Sequence, residues 1–136
     1  MKRLKTKATM EQFEWLMSSI EEVLQELSVP QKTIFTLMTA CDEIIVNIIH
    51  YAYPQKEGEI EIHIDQRDGL VRCAFYDEGI PFNPLLKGEA DTTLLAHQRE
   101  IGGLGIHMVR KLMDQVDYAY RDGKNVLTIQ KSIPKS

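Results

Sequence analysis

The hydrophobic pattern of the chain changes period at Gly58, and that change limits the fold more than any other feature. Before it, Phe13, Met17, Ile20, Leu24 and Leu27 recur at helical spacing until Pro30. A second stripe, Ile34, Leu37, Met38, Cys41, Ile45 and Ile48, runs from near Gln31 to about Ala52. After it, Ile60, Ile62 and Ile64 alternate with Glu59, Glu61, His63 and Asp65, the period of a strand with one wet face. Two helices are therefore followed by a strand. Thr9 and Gln12 have the form of a capping box at the start of the first helix. Arg67, Asp68 and Gly69 supply turn chemistry before Val71, Cys73 and Phe75 alternate toward Asp77, which predicts an antiparallel hairpin.

From Glu78 to about Gly103 no period persists, and a loop of about 20 residues in a small domain is either functional or a sign of wrong element boundaries. Its flanks favour function. Gly102, Gly103 and Gly105 open a third helix with Ile106, Met108, Val109, Leu112 and Met113 inside and Arg110 and Lys111 outside. Val116 to Tyr120 and Asn125 to Lys131, separated by Arg121, Asp122 and Gly123, close the chain as a second hairpin. The order predicts an α+β fold: a two-layer sandwich whose mixed, mostly antiparallel sheet carries three helices on one face.

A chain of 136 residues encloses one core, so residues 1–136 are expected to form a single domain. A net charge of −4 argues against a dedicated nucleic-acid binder, although Lys2, Arg3, Lys5 and Lys7 cluster at the start. No apolar run follows those cations, and the richest apolar stretch, Ile44 to Ile49, is interrupted by Asn47. A cytoplasmic chain away from membranes is expected. Cys41 and Cys73 have no zinc-ligand spacing around them and are expected to be buried small hydrophobes. Trp15 and Leu16, beside the main stripe of the first helix, would suit a homodimer or partner surface, or simply the core.

Three groups of residues carry chemistry. Glu43, Asn47 and His50 are spaced i, i+4, i+7 and share one helix face, flanked by Ile44, Ile48 and Ile49. An acid and an amide in such apolar company line a cleft better than they meet bulk water, although a solvated helix side would show the same spacing. Asp77, Gly79, Pro81 and Phe82 form D-x-G-x-P-F at a strand end. There a carboxylate can accept a hydrogen bond from an exocyclic amine such as that of adenine, and glycine admits a flat ring; a plain turn is the alternative. Gly102-Gly103-Leu104-Gly105 precedes a helix, where exposed amides and the helix dipole suit phosphate. It is neither a P-loop, lacking the Lys-Ser or Lys-Thr, nor a dinucleotide fingerprint.

In this order the three groups resemble the GHKL superfamily of ATP-binding domains, with Glu43 to His50 as its N box, Asp77 to Phe82 as its first glycine box and Gly102 to Gly105 as its second. The resemblance implies the Bergerat ATP-binding fold with an ATP lid at about residues 83–101. Within the superfamily the short chain looks most like the RsbW-type anti-sigma factors, serine-protein kinases of bacterial partner switching. Such a protein binds ATP with Mg²⁺, holds a sigma factor and phosphorylates an anti-anti-sigma (STAS-type) partner. Carried over by motif, Glu43 would be the general base, Asn47 the Mg²⁺ ligand and Asp77 the acceptor of the adenine amine. Gly79 would let the base approach beside Phe82, while Gly102, Gly103, Leu104 and Gly105 would meet the phosphates. His50 would hold the lid, Arg99 would meet the terminal phosphate in place of an Arg directly before the second glycine box, and Thr128 would support Asp77 through water. A nucleotide-responsive binding module without kinase activity is the alternative. A histidine kinase catalytic domain lacks its phosphoacceptor helix here, since no histidine occurs in residues 1–42.

Overall fold

A computed structural model describes residues 1–86 and 104–134. Strand β1 (Lys2–Lys7) leads through one 3₁₀ turn, Met10–Gln12, into α1 (Phe13–Glu26) and α2 (Gln31–Tyr51). The hairpin β2 (Glu59–Arg67) and β3 (Leu70–Asp77) follows, then a short 3₁₀ turn at Pro84–Leu86, α3 (Leu104–Leu112), and the hairpin β4 (Gln115–Arg121) and β5 (Lys124–Ser132). The five strands lie in the order β1-β2-β3-β5-β4. Every neighbouring pair among the described strands is antiparallel, in keeping with the mostly antiparallel sheet expected from sequence.

Both hairpins turn on Asp-Gly. Asp68 and Gly69 have φ of 54° and 79°, and Asp122 and Gly123 have 53° and 76°. Two consecutive left-handed residues make the tight turn whose twist matches that of the flanking strands. The end of α1 uses the same region of backbone space: Ser28 has φ 61°, with Ser28 N–H donating to Gln25 O and Val29 N–H to Leu24 O. This closes the last turn in the Schellman manner, with serine where glycine is usual.

The capping box expected at Thr9 is not formed. Thr9 makes no side-chain cap, and Gln12 Oε1 instead accepts the Thr6 hydroxyl at 3.3 Å. Strand β1 was not anticipated. It pairs Leu4 with Ile62 and Thr6 with Ile60, while Lys5 and Lys7 face Glu61 and Glu59 on the other side.

Ile60, Ile62, Ile64, Cys73, Phe75 and Ile129 form the buried face of the sheet. Leu16, Ile20 and Leu24 of α1, Leu37, Cys41 and Ile45 of α2, and Ile106 and Val109 of α3 cover it. α2 packs against both other helices and so occupies the middle of the helical layer. By length and composition α2 would pass for a membrane span, but Ile34, Leu37, Ala40, Cys41, Ile44 and Ile45 along it are buried in this core. Leu16 is core while Trp15 is exposed, and both cysteines are buried and free, as expected.

Candidate functional site

One stripe of α2, Ile44, Asn47, Ile48 and Tyr51, forms one wall of a largely apolar cleft. Asp77 and Asn125 stand at its floor, Tyr118 and Leu127 on the sheet side, and Ile80, Phe82 and Pro84 at its mouth. The second helix and the exit of the first hairpin therefore converge, as their sequence signals required. The α2 stripe follows the i, i+3, i+4, i+7 rule, and this separates the predicted polar ridge. Asn47 faces the cleft, but His50 is exposed and outside its lining; Tyr51 takes the place one turn beyond Asn47.

Asn47 Oδ1 is buried and has no hydrogen-bond partner among the described residues. A buried amide oxygen left unpaired is costly, and its position on the cleft wall fits it to a hard cation or a ligand donor. No group of three His, Cys, Asp or Glu side chains able to hold a metal occurs among the described residues. A Mg²⁺ ion here would thus be held by Asn47 together with phosphate oxygens, the usual sharing for that ion.

Asp77 ends β3 and is 7% exposed. Burial raises its carboxyl above the ordinary aspartate range, opposed by hydrogen bonds from Asn125 and from the backbone of Gly79. Both bonds end on Oδ1, from Asn125 Nδ2 at 2.9 Å and Gly79 N–H at 3.0 Å. Oδ2 accepts from no described residue.

Gly79 proves tightly fitted. A Cβ there would lie 2.2 Å from the Ala52 carbonyl oxygen, which already accepts the Ile80 N–H at 3.0 Å. The exit of β3 is thereby docked on the end of α2, so glycine is required by the fold at this point, whatever the ligand. Tyr53 braces the same exit: its hydroxyl accepts from Glu78 N–H at 2.8 Å and donates to Glu59 O at 2.6 Å.

Glu43 is half-buried, and its carboxyl is raised from the ordinary glutamate range by burial and then by the neighbouring Asp42. It lies against the start of α3: a Cβ on Gly105 would stand 2.2 Å from Glu43 Oε2. The N box and the last glycine of the second glycine box are thus in contact. A carboxylate whose proton affinity is raised by burial is suited to accept a proton. Arg99, Gly102 and Gly103 lie outside the described residues, as does the expected lid beyond residue 86; Leu104 is the first residue of α3.

Thr128 is displaced from its expected role. Asp77 pairs with Asn125 across the β3–β5 ladder, and Thr128 pairs with Ala74. Side chains alternate across a strand, so Thr128, three residues beyond Asn125, faces the opposite side of the sheet in a groove with Arg72 and Asp117. Asn125 holds the place beside Asp77. Only the long-range β3–β5 register sets it there, since the hairpin through Asp122 and Gly123 pairs Asn125 with Tyr120 of β4.

Chain comparison agrees with this geometry. Serine/threonine-protein kinase BtrW of Bordetella bronchiseptica is 29% identical over 104 residues, covering 75% of this chain and 73% of that protein. Serine-protein kinase RsbW of Bacillus mycoides is 29% identical over 92 residues, 65% of this chain, and the match spans only 58% of its length. Among solved structures, that of the RsbU and RsbW domains of Rv1364c from Mycobacterium tuberculosis superposes over the whole of this chain and 34% of its own, with a TM-score of 0.66 at 16% identity. At that identity the likeness is one of fold. The histidine kinase-like ATPase domain family matches residues 6–131, which span most of the described sheet and the three described helices. With a cleft between α2 and the exit of β3 and a carboxylate seated on the glycine entry of α3, the chain belongs to the histidine kinase-like ATPase domain family.

Proposed function

We propose that the protein is an ATP-dependent serine-protein kinase and anti-sigma regulatory factor, which binds a sigma factor and phosphorylates a serine of an anti-anti-sigma partner. Residues 1–136 act as one domain in a cytoplasmic setting, with about residues 83–101 as lid. The observation that carries this reading is that the unpaired Asn47 Oδ1 and the buried Asp77 line one cleft, while Glu43, one turn before Asn47 on α2, sets its carboxylate against Gly105. The two kinases to which the chain is similar support the choice of serine as acceptor.

Phosphoryl transfer asks a protein mainly for positioning and charge compensation. Asp77 accepts a hydrogen bond from the adenine amine, and the apolar side chains of Ile48, Ile80 and Phe82 flank the base. Asn47 holds Mg²⁺, which when bound neutralises charge on the phosphate oxygens. The first amides of α3 add further positive potential. Glu43 takes the proton of the partner's serine hydroxyl as the serine oxygen bonds to the terminal phosphorus and the bond from that phosphorus to the bridging oxygen breaks, leaving ADP.

Glu43→Gln is expected to leave ADP affinity within about twofold while slowing transfer to the cognate partner by at least about 10²-fold, the scale of a lost general base. Phosphoserine formation followed with labelled ATP checks this. Transfer at the wild-type rate would remove Glu43 from the chemistry.

A further inference from the structure

Asn125 is 6% exposed and stands directly across the sheet from Asp77. Its Nδ2 donates to Asp77 Oδ1 at 2.9 Å and to the Ile80 carbonyl at 2.9 Å. Its Oδ1 accepts from Phe82 N–H at 3.1 Å and from the Tyr118 hydroxyl. A side-chain amide has two donor hydrogens and two acceptor lone pairs, and here all four are used. Turning the amide over would set oxygen against a carboxylate and a carbonyl, so the network itself fixes its orientation.

A saturated amide has nothing left to offer a ligand, and its work is done through what it holds. With Asn125 and Gly79 both on Asp77 Oδ1, the remaining acceptor of that carboxylate is Oδ2. The same amide ties down the backbone at residues 80 and 82, which lines the cleft beside Asp77. One side chain therefore sets both the direction of the acceptor and the position of the wall beside it.

We propose that Asn125 is the positioning residue for nucleobase selection: by holding Oδ1 it presents Oδ2 as a lone acceptor, which rewards a 6-amino purine and rejects a 6-oxo purine. The inference rests on the cleft being the nucleotide site. A purine with oxygen at that place sets two acceptors face to face, whereas a purine with hydrogen there merely forgoes the bond. Tyr118 acts one step further out, by holding the amide.

The test is equilibrium binding of ADP, GDP and purine riboside diphosphate, which carries hydrogen at the 6-position, to wild type, Asn125→Ala and Tyr118→Phe. A hydrogen bond to a charged acceptor predicts that wild type prefers ADP to the 6-hydrogen compound by about tenfold or more, and to GDP by more still. Asn125→Ala should bring the first ratio to within about threefold of unity. Its affinity for the 6-hydrogen compound should fall much less than its affinity for ADP, whereas a loosened fold would weaken all three nucleotides together. Tyr118→Phe should shift the ratio the same way by a smaller factor, and it decides the matter if Asn125→Ala does not fold. Ratios unchanged in the folded variants would overturn the role of Asn125. Wild type that binds ADP without preference would overturn the aim of Oδ2, and wild type that binds none of the three would instead remove the nucleotide site itself.

Discussion

A methyl group added at Gly105 would stand 2.2 Å from Glu43 Oε2, and one added at Gly79 would stand 2.2 Å from the Ala52 carbonyl oxygen. The distances are equal but the consequences differ, because one obstacle is the tip of a flexible side chain and the other is backbone. Gly105→Ala should therefore fold normally but push the Glu43 carboxylate aside. Since displacement of a reacting group by about 1 Å can cost about 10²-fold, transfer to the partner should slow by that order while ADP affinity stays near wild type. Gly79→Ala should instead lower the melting temperature. Steady-state transfer rates beside thermal melts of the two variants distinguish these effects, and a Gly105→Ala variant with the wild-type rate would separate Glu43 from the α3 entry. The placement of Asn47 and Asp77 on one cleft was legible in the sequence, because an amide flanked by isoleucine and an acid ending a strand are conspicuous. Asn125 was not, since an asparagine just after an Asp-Gly turn reads as turn chemistry until the β3–β5 register sets it opposite Asp77.

Elements built on their own periodicity were the legible ones. α2 and the β2–β3 hairpin needed only the spacing of their isoleucines and one Asp-Gly turn, and they formed where that spacing placed them. β1 carries four basic residues in six positions, and its only inward apolar side chain at the centre is Leu4, so no local signal marks it. It becomes a strand because β2 offers an unpaired edge, a long-range fact that no window of sequence contains. His50 stands outside the cleft lining for a smaller reason: on α2 the cleft-facing stripe passes through Tyr51, and one residue is about 100° of rotation. The end of α1 carries a correctable strain at Ser28, whose φ of 61° is a glycine conformation. Ser28→Gly should stabilise the fold by about 0.5 to 1 kcal/mol, somewhat below the full left-handed penalty because glycine also loosens the unfolded chain. Urea denaturation checks it; a loss of stability would mean that the serine side chain contributes more than its backbone costs.

For the molecule as a whole, two pairs of carboxylates give stability an asymmetric pH profile. Glu43 and Asp77 are raised, chiefly by burial. Their ionisation is harder in the fold than in the unfolded chain, so they weaken the fold above their folded values and cease to do so as pH falls through those values toward the unfolded ones. Glu61 is lowered by its hydrogen bond with His63, and Asp114 by the Ser132 amide. Their contribution is present above the unfolded values of about 4 and is lost as pH falls through the depressed folded ones. Stability should therefore rise as pH falls through the raised values of Glu43 and Asp77, and fall again as pH drops through the depressed values of Glu61 and Asp114. Asp77→Asn, which keeps an oxygen for Asn125 and removes the buried charge, should be more stable than wild type at pH about 7 and flatter across that range, while losing ADP affinity. Chemical denaturation at a series of pH values decides this, and a variant less stable than wild type at neutral pH would contradict it. A site that costs its own fold something is what a ligand-dependent carboxylate demands.

The sheet order leaves β1 at one edge, joined only to β2 and separated from it in the chain by two complete helices. Translation delivers β1 well before β2, so the segment must wait for its mate without zipping onto a neighbour's nascent chain. Lys2, Arg3, Lys5 and Lys7 keep it hydrated and mutually repellent during that wait. The lysines later settle against acids beside β2, Lys5 near Glu59 at 3.7 Å and Lys7 near Glu57 at 3.8 Å. Exposed pairs of this kind add little strength, so the cationic fringe serves assembly order more than endurance.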